Sequence, residues 1–445
     1  MNYLVGRQNP IYEVPIDKLN KMLAILVSEF GEEWLNTGNS NPVQQLWQRQ
    51  DWLSTCELLL LGNSLKILKT VAPNWVSEQV KLIKQEDKNN RRGALFELLA
   101  LSLFDGEGVS IKPAANSNPG YDGTVFLPRN ASIQISVKSY GMSSHQQEFN
   151  NQCSIVEAQL VKALSEHQLN AVGFYVFAKN YPTQSDWEIL KQRLPEILNS
   201  VQNGTDDSFE DLEKSCWSIK IQNLPFENYQ FSETHRSYTF IVCSPYHKNE
   251  YKNLYDKLDD AYTNFTKHSR SIHPLTTRMV FIDIPSSASI KLCKEWATQY
   301  FQERENSPIG LVIFYQPTVV TDGQKGSTFI NHCVFLIDSP ECERWLKLYN
   351  PSSPPISTTI FIGTVSDEPI PLTLQNDDIS IPIDDHYCYQ QGHHYLLAQI
   401  KEDGTQYGQL EKQASGIFRH IVSLHPEGQL IVKGIFPPSD ELLLW

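Results

Sequence analysis

The run AVGFYVFA at 171–178 is apolar at nearly every position, the pattern of a strand that helices cover on both faces of its sheet. Similar strands follow at 237–244 (SYTFIVCS), 278–285 (RMVFIDIP) and 309–316 (IGLVIFYQ), and apolar residues at helical spacing fill 249–265 and 289–304 between them. Strand–helix alternation of this kind requires a layered α/β fold, and the order βαβαβ predicts a three-layer unit in the second half of the chain. With 445 residues there is material for two or three domains.

Three regions follow from the changes in pattern. Residues 1–90 read as a helical N-terminal domain, with helical spacing in 16–30, 41–62 and 74–85 broken by Gly, Asn and Pro. From 92 to 180 the order is α-β-β-β-α-β: a helix at 92–106, strands at 109–114, near 121–128 and at 132–140, a helix at 153–168 and the strand at 171–178. A helix at 185–200 ends the second region, 91–201. The polar, acidic stretch QNGTDDSFEDLEKS at 202–215 marks a boundary, and 216–445 forms an α/β region with a β-rich end.

Composition narrows the function classes. No apolar run is long enough to span a membrane, and the N-terminus lacks the basic-then-apolar pattern of a secretion signal, so a cytoplasmic protein is expected. The eight cysteines form no CxxC pair and no zinc-spaced cluster, which predicts reduced, mostly buried thiols. His393 and His394 are adjacent and make a poor chelate. The net charge is −14. Residues 1–200 hold 18 Lys/Arg against 20 Asp/Glu, and 201–445 hold 19 against 31, so nucleic-acid contact belongs with the N-terminal half.

The hairpin GYDGTVFLPRNASIQISVKSYG at 120–141 carries the chemistry. Its second strand alternates Ile133, Ile135 and Val137 with Gln134, Ser136 and Lys138, so one face is apolar and the other polar. Antiparallel pairing brings Asp122, at the start of one strand, to Lys138, at the end of the next. Glu97 lies within ALFELLALSLF, shielded by its helical neighbours, and Glu157 sits near the apolar face of its own helix. A buried carboxylate needs a cation, a hydrogen-bond donor or a raised pKa. Carboxylates and one lysine at a sheet edge suit phosphodiester hydrolysis with Mg²⁺ or Mn²⁺, in which the ion orients a water and the ammonium offsets charge on phosphate.

At these residues the chain resembles the PD-(D/E)xK nuclease superfamily, the restriction endonuclease-like fold, over roughly residues 92–180. The resemblance implies Glu97, Asp122 and Lys138 as catalytic residues and DNA as substrate, in a setting such as restriction of foreign DNA. Ser136 stands where the superfamily has its second acid. Three readings stay open. Glu157 (or, more weakly, Glu148) supplies that acid from the following helix; or one ion is held by Asp122, the Val137 carbonyl and, through water, Glu97; or the fold no longer cuts and acts as a nucleic-acid- or protein-binding module. Ser136, Gln134 and His145 are the candidate substrate contacts. The region 216–445 is then expected to select target or partner, and a homodimer would suit cutting of two strands. A separate reading places chemistry at Asp283, for which a buried strand-end carboxylate is the simpler account.

Overall fold

The computed structural model describes residues 2–4, 15–38, 41–48, 52–114, 120–166, 171–202, 208–223, 237–269, 275–285, 288–304, 307–322, 327–339, 342, 345, 347–348, 364–367, 373–376, 379–382, 385–390, 410–412, 418–420 and 435–436. It is mixed α/β, with ten helices and two large mixed sheets among those residues.

The N-terminal helices are α1 (Ile16–Phe30), α2 (Glu32–Asn36), α3 (Pro42–Gln48), α4 (Trp52–Val71), α5 (Pro73–Ile83) and α6 (Lys88–Ser102). Helix α1 buries Leu19, Met22, Leu23, Leu26 and Phe30, one face at three- and four-residue spacing, and stops at Gly31 with φ 83°. Pro73 opens α5, where its missing N–H costs nothing, and the Asp87 carboxylate caps α6 by accepting from the Asn90 N–H at 2.8 Å. Strands β1 (Ser110–Pro113), β2 (Gly123–Leu127) and β3 (Ala131–Ser139) follow as an antiparallel meander. Arg129 and Asn130, both at positive φ, make the tight β2–β3 turn.

Next come α7 (Ser144–Glu166), β4 (Ala171–Ala178), α8 (Gln184–Gln202), β5 (Ser208–Asp211), β6 (Trp217–Asn223) and β7 (Ser237–Pro245). The chain continues through α9 (Tyr251–His268), β8 (Leu275–Asp283), α10 (Ile290–Glu303), β9 (Leu311–Asp322), β10 (Ser327–Asp338), β11 (Thr364–Ser366), β12 (Thr373–Asn376), β13 (Ile379–Pro382) and β14 (His386–Gln390). Short strands between 410 and 436 form a further small sheet.

The larger sheet has the order β1-β2-β3-β8-β9-β10-β11, with β3, β8 and β9 parallel. Its two faces are covered separately. Ile133, Ile135, Met279, Phe281, Ile313 and Tyr315 share one core with α1–α6. Val280, Ile282, Val312 and Phe314 share another with Leu254, Leu258, Ala261 and Phe265 of α9 and with Cys293, Ala297 and Tyr300 of α10. Helices therefore lie on both sides of the sheet. The smaller sheet, β14-β7-β4-β6-β5, packs α7 and α8 on one face through Phe149, Cys153, Leu160, Trp187, Leu190 and Trp217.

This arrangement departs from the expected one in three respects. The strand beside β3 is β8, not β4, so the contiguous α-β-β-β-α-β unit over 92–180 does not form one sheet. The reason lies on β3. Ser132, Gln134 and Ser136 are buried, and buried polar groups must be hydrogen-bonded. The β8 segment meets that need: Thr276 bonds Ser132 at 2.9 Å, and the Arg278 Nε donates at 2.7 Å to Ser269, whose hydroxyl reaches Gln134. The AVGFYVFA of β4 offers only the Tyr175 hydroxyl. Second, β7 pairs with β4 and β14 rather than with β8 and β9, and the 202–215 stretch contains β5, an edge strand that ends at the exposed Asp211. Third, the helices of 1–90 are one layer over the larger sheet, since their apolar residues and those of α6, β3, β8 and β9 belong to a single core.

A buried carboxylate joins the two sheets. Glu250, just before α9, accepts from the Tyr140 hydroxyl after β3 at 3.1 Å, from the Ser143 hydroxyl before α7 at 2.7 Å, and from the Tyr387 hydroxyl on β14. Burial pushes its pKa up, against the pull of the three hydroxyls.

The α1–α4 crossing depends on Gly62, where a Cβ would stand 2.5 Å from the Met22 carbonyl oxygen. Gly62→Ala is expected to lower stability by about 1–3 kcal/mol through overpacking, read as a lower urea midpoint at unchanged slope. An unchanged midpoint would show that the helices separate at no cost.

Candidate active site

Asp122 is fixed by its backbone before its side chain is considered. Its N–H donates to the Ile135 carbonyl at 2.8 Å and its carbonyl accepts from the Ala114 N–H at 2.8 Å, so the residue is tied to β3 and to the end of β1. The chain reaches it through Gly120, at φ 127°, where a Cβ would lie 2.4 Å from the Cβ of His268 on α9. Only glycine fits this approach. The carboxylate then turns onto β3. Its Oδ2 accepts from the Val137 N–H at 2.6 Å, and the Ser136 hydroxyl also bonds it.

Three further groups converge. Glu97 lies on α6 where that helix crosses β3, and its Oε2 accepts from the Gln79 side chain of α5 at 3.0 Å. Lys138 pairs with Asp260 of α9, with most of the lysine covered and Asp260 largely exposed. The Val137 carbonyl projects to the same side of β3 as its N–H, towards Asp122, because one strand residue offers both backbone groups to the same neighbour.

The electrostatics are those of a site short of positive charge. Burial, and after it the charge of Asp122, pushes the Glu97 pKa up to about 8, while Gln79 and Lys138 pull it back. Burial also raises Asp122. The Val137 and Ser136 bonds and the Lys138 ammonium oppose that rise, and Asp260 adds to it. A bound cation would replace the proton these acids otherwise favour.

Glu97, Asp122, Ser136, Val137 and Lys138 are thus gathered in one place. Other predicted residues are not. Glu157 receives the Tyr389 hydroxyl at 2.5 Å, and Glu148 receives the Gln152 amide at 2.9 Å; both are on α7, which covers the smaller sheet. Neither supplies the acid that Ser136 lacks. His145 stacks on His247 with ring centroids 3.6 Å apart, at the joint between the sheets. Gln134 is fully buried and engaged by Ser269, and Ser136 is buried against Asp122, so neither is open to a substrate. Asp283 is buried and held by Arg92 at 2.6 Å, a structural pair. His393 and His394 lie outside the described residues.

Asp260 is the residue that the sequence did not reveal. It stands in LYDKLDDAYTNF beside Asp259, which is taken up by the Tyr300 hydroxyl at 2.8 Å and by Arg304. The pair of acids is visible in the sequence, but its relevance depends on α9 being the helix that crosses from β3 to its parallel neighbour.

Among the described residues no three His, Cys, Asp or Glu side chains stand close enough together to hold a metal ion. Two carboxylates and a backbone carbonyl nevertheless match the donor number of a Mg²⁺ site that keeps several waters. No protein family, curated protein or solved structure matches this chain. Among the described residues no helix is long and apolar enough to cross a membrane.

The raised Glu97 pKa has a consequence for stability. Between the unfolded value near 4.5 and the folded value of about 8, the folded protein holds the proton and the unfolded chain does not. Stability without metal should therefore fall as pH rises through that window. Urea midpoints in EDTA from pH 5 to 8 should show the fall, and Glu97→Gln should flatten it. Equal slopes in both proteins would place the proton elsewhere.

Proposed function

We propose that this chain is a divalent-metal-dependent nuclease that hydrolyses phosphodiester bonds in DNA. The observation that carries the reading is the Asp122 carboxylate anchored on the Val137 N–H at 2.6 Å, beside Lys138 and the buried Glu97. Topology supports it. Taken in space, α6, β1, β2, β3, α9 and β8 follow the α-β-β-β-α-β order of the PD-(D/E)xK superfamily, with 144–245 lying between its two halves.

Mg²⁺ or Mn²⁺ would be held by Asp122, the Val137 carbonyl and, through water, Glu97; when bound it lowers the pKa of a water and offsets charge on phosphate. The protein's own groups do the rest. Ser136 and the Val137 N–H hold Asp122 in one rotamer. Lys138 offers an ammonium to a phosphate oxygen, where charge develops. Asp260 keeps that ammonium at the site and is itself exposed enough to release it to a phosphate. Two copies of the site would be needed for simultaneous cleavage of both strands, and restriction of foreign DNA is the setting that this reading favours.

The test is cleavage of plasmid and single-stranded DNA with Mg²⁺ or Mn²⁺, against EDTA. Asp122→Ala and Lys138→Ala should each lower the rate by at least about 100-fold, the scale of removing one charge-stabilising group. Glu157→Ala and His145→Ala should leave it unchanged. Asp260→Asn should lower it, with Asp260→Glu restoring part. Failure to cut any DNA or RNA, with no metal binding by calorimetry, would leave a nuclease-like fold that only binds nucleic acid or protein.

A further inference from the structure

Cys243 on β7 and Cys388 on β14 are directly paired on neighbouring strands of the smaller sheet, with their sulfurs 3.7 Å apart. The register fixes what kind of pair they are. The Tyr246 N–H donates to the Asp385 carbonyl at 3.0 Å, so Tyr246 and Asp385 form a hydrogen-bonded pair. Antiparallel ladders alternate, which makes Pro245–His386 a pair without hydrogen bonds, Ser244–Tyr387 bonded, and Cys243–Cys388 again without. Pro245, which has no N–H to give, sits where none is needed. In such pairs the Cα atoms approach to about 4.5 Å, within the range of roughly 4.4–6.8 Å that a disulfide spans.

Access is unequal. Cys388 is half-buried and Cys243 is buried, so an oxidant meets Cys388 first. We propose that Cys243 and Cys388 are a built-in disulfide site that closes on exposure to a disulfide oxidant such as oxidised glutathione and locks β14 onto β7. The Cys388 thiolate attacks one sulfur of the oxidant, giving a mixed disulfide and releasing one thiol. Cys243 then attacks the Cys388 sulfur and expels the second thiol, which leaves with the Cys243 proton. Two protein thiols are oxidised as one oxidant disulfide is reduced to two thiols. The hydrogen bond with Cys388, and after it burial, raises the Cys243 pKa, which makes the second step the slow one.

The bond would close a loop between residues 145 apart in sequence and hold in place a strand that carries Tyr387 and Tyr389, the partners of Glu250 and Glu157. The proposal does not depend on nuclease activity.

The full chain is treated with oxidised glutathione, the remaining thiols are alkylated, and peptides are mapped without reduction. The expected product is two hydrogens lighter, with the Cys243 and Cys388 peptides joined, a higher thermal midpoint and full reversal by dithiothreitol. Cys388→Ser and Cys243→Ser should each abolish the link and the midpoint shift. Three results would overturn the proposal: glutathione left on Cys388 with Cys243 still open to alkylation, a link from Cys388 to the buried Cys153 of α7, or a link that lowers the thermal midpoint.

Discussion

A buried polar strand face must find donors and acceptors, and the larger sheet is organised around that requirement on β3. Ser132, Gln134 and Ser136 have no access to water, so each needs a protein partner. The partners of Ser132 and Gln134, Thr276 and Ser269, come from the α9–β8 segment, and that of Ser136 is Asp122. Polar pairing thus selects β8 as the parallel neighbour of β3. It also brings α9 across the face that carries Lys138, and with it Asp260. A purely apolar β3 could have paired as well with β4, and the site would then have been assembled against α7.

The segment from α7 to β7 follows from the same choice. It leaves the larger sheet after Tyr140 and returns at Glu250, and in between it supplies four of the five strands of the smaller sheet, to which β14 is added. Both exits meet at the Glu250 carboxylate, with hydroxyl donors from the end of β3, the start of α7 and β14. Three neutral donors offset part of the cost of burying this carboxylate, and both of its oxygens are hydrogen-bonded. The two sheets are therefore joined by polar contacts at their point of departure, while their apolar cores stay separate.

The catalytic candidates were legible because their oddness is local. Glu97 is out of place among leucines, Asp122 opens a hairpin and Lys138 closes it, and each can be read within a few residues. Helix periodicity likewise located α1, α5 and α9, and alternation located β3, while the single helical stretch at 41–62 is divided between α3 and α4, which runs on to Val71. What could not be read was the choice between equivalent partners. Both α7–β4 and α9–β8 follow β3 as helix and strand, and hydropathy alone does not separate them. The expected placing of Glu157 and His145 beside Asp122 descends from that one ambiguity, as does the omission of Asp260. The polar face of β3 was legible too, but alternation reads as solvent exposure when the covering element is unknown.

The delay between β3 and β8 also sets an order of events in time. Chain synthesis runs from the N-terminus, so β3 and its polar face exist well before Leu275–Asp283 has been made. Contacts this distant in sequence form slowly, after the cost of closing a long loop. Until β8 arrives, β3 is an unpaired edge, and Lys138 lacks the α9 carboxylate that it pairs with in the finished fold. The α7–β7 segment supplies four strands of the smaller sheet by then, but β14, which completes that sheet, is made later still. A nascent chain would thus carry most of the hairpin's chemistry early and acquire an assembled site only once the chain has been made as far as Asp283.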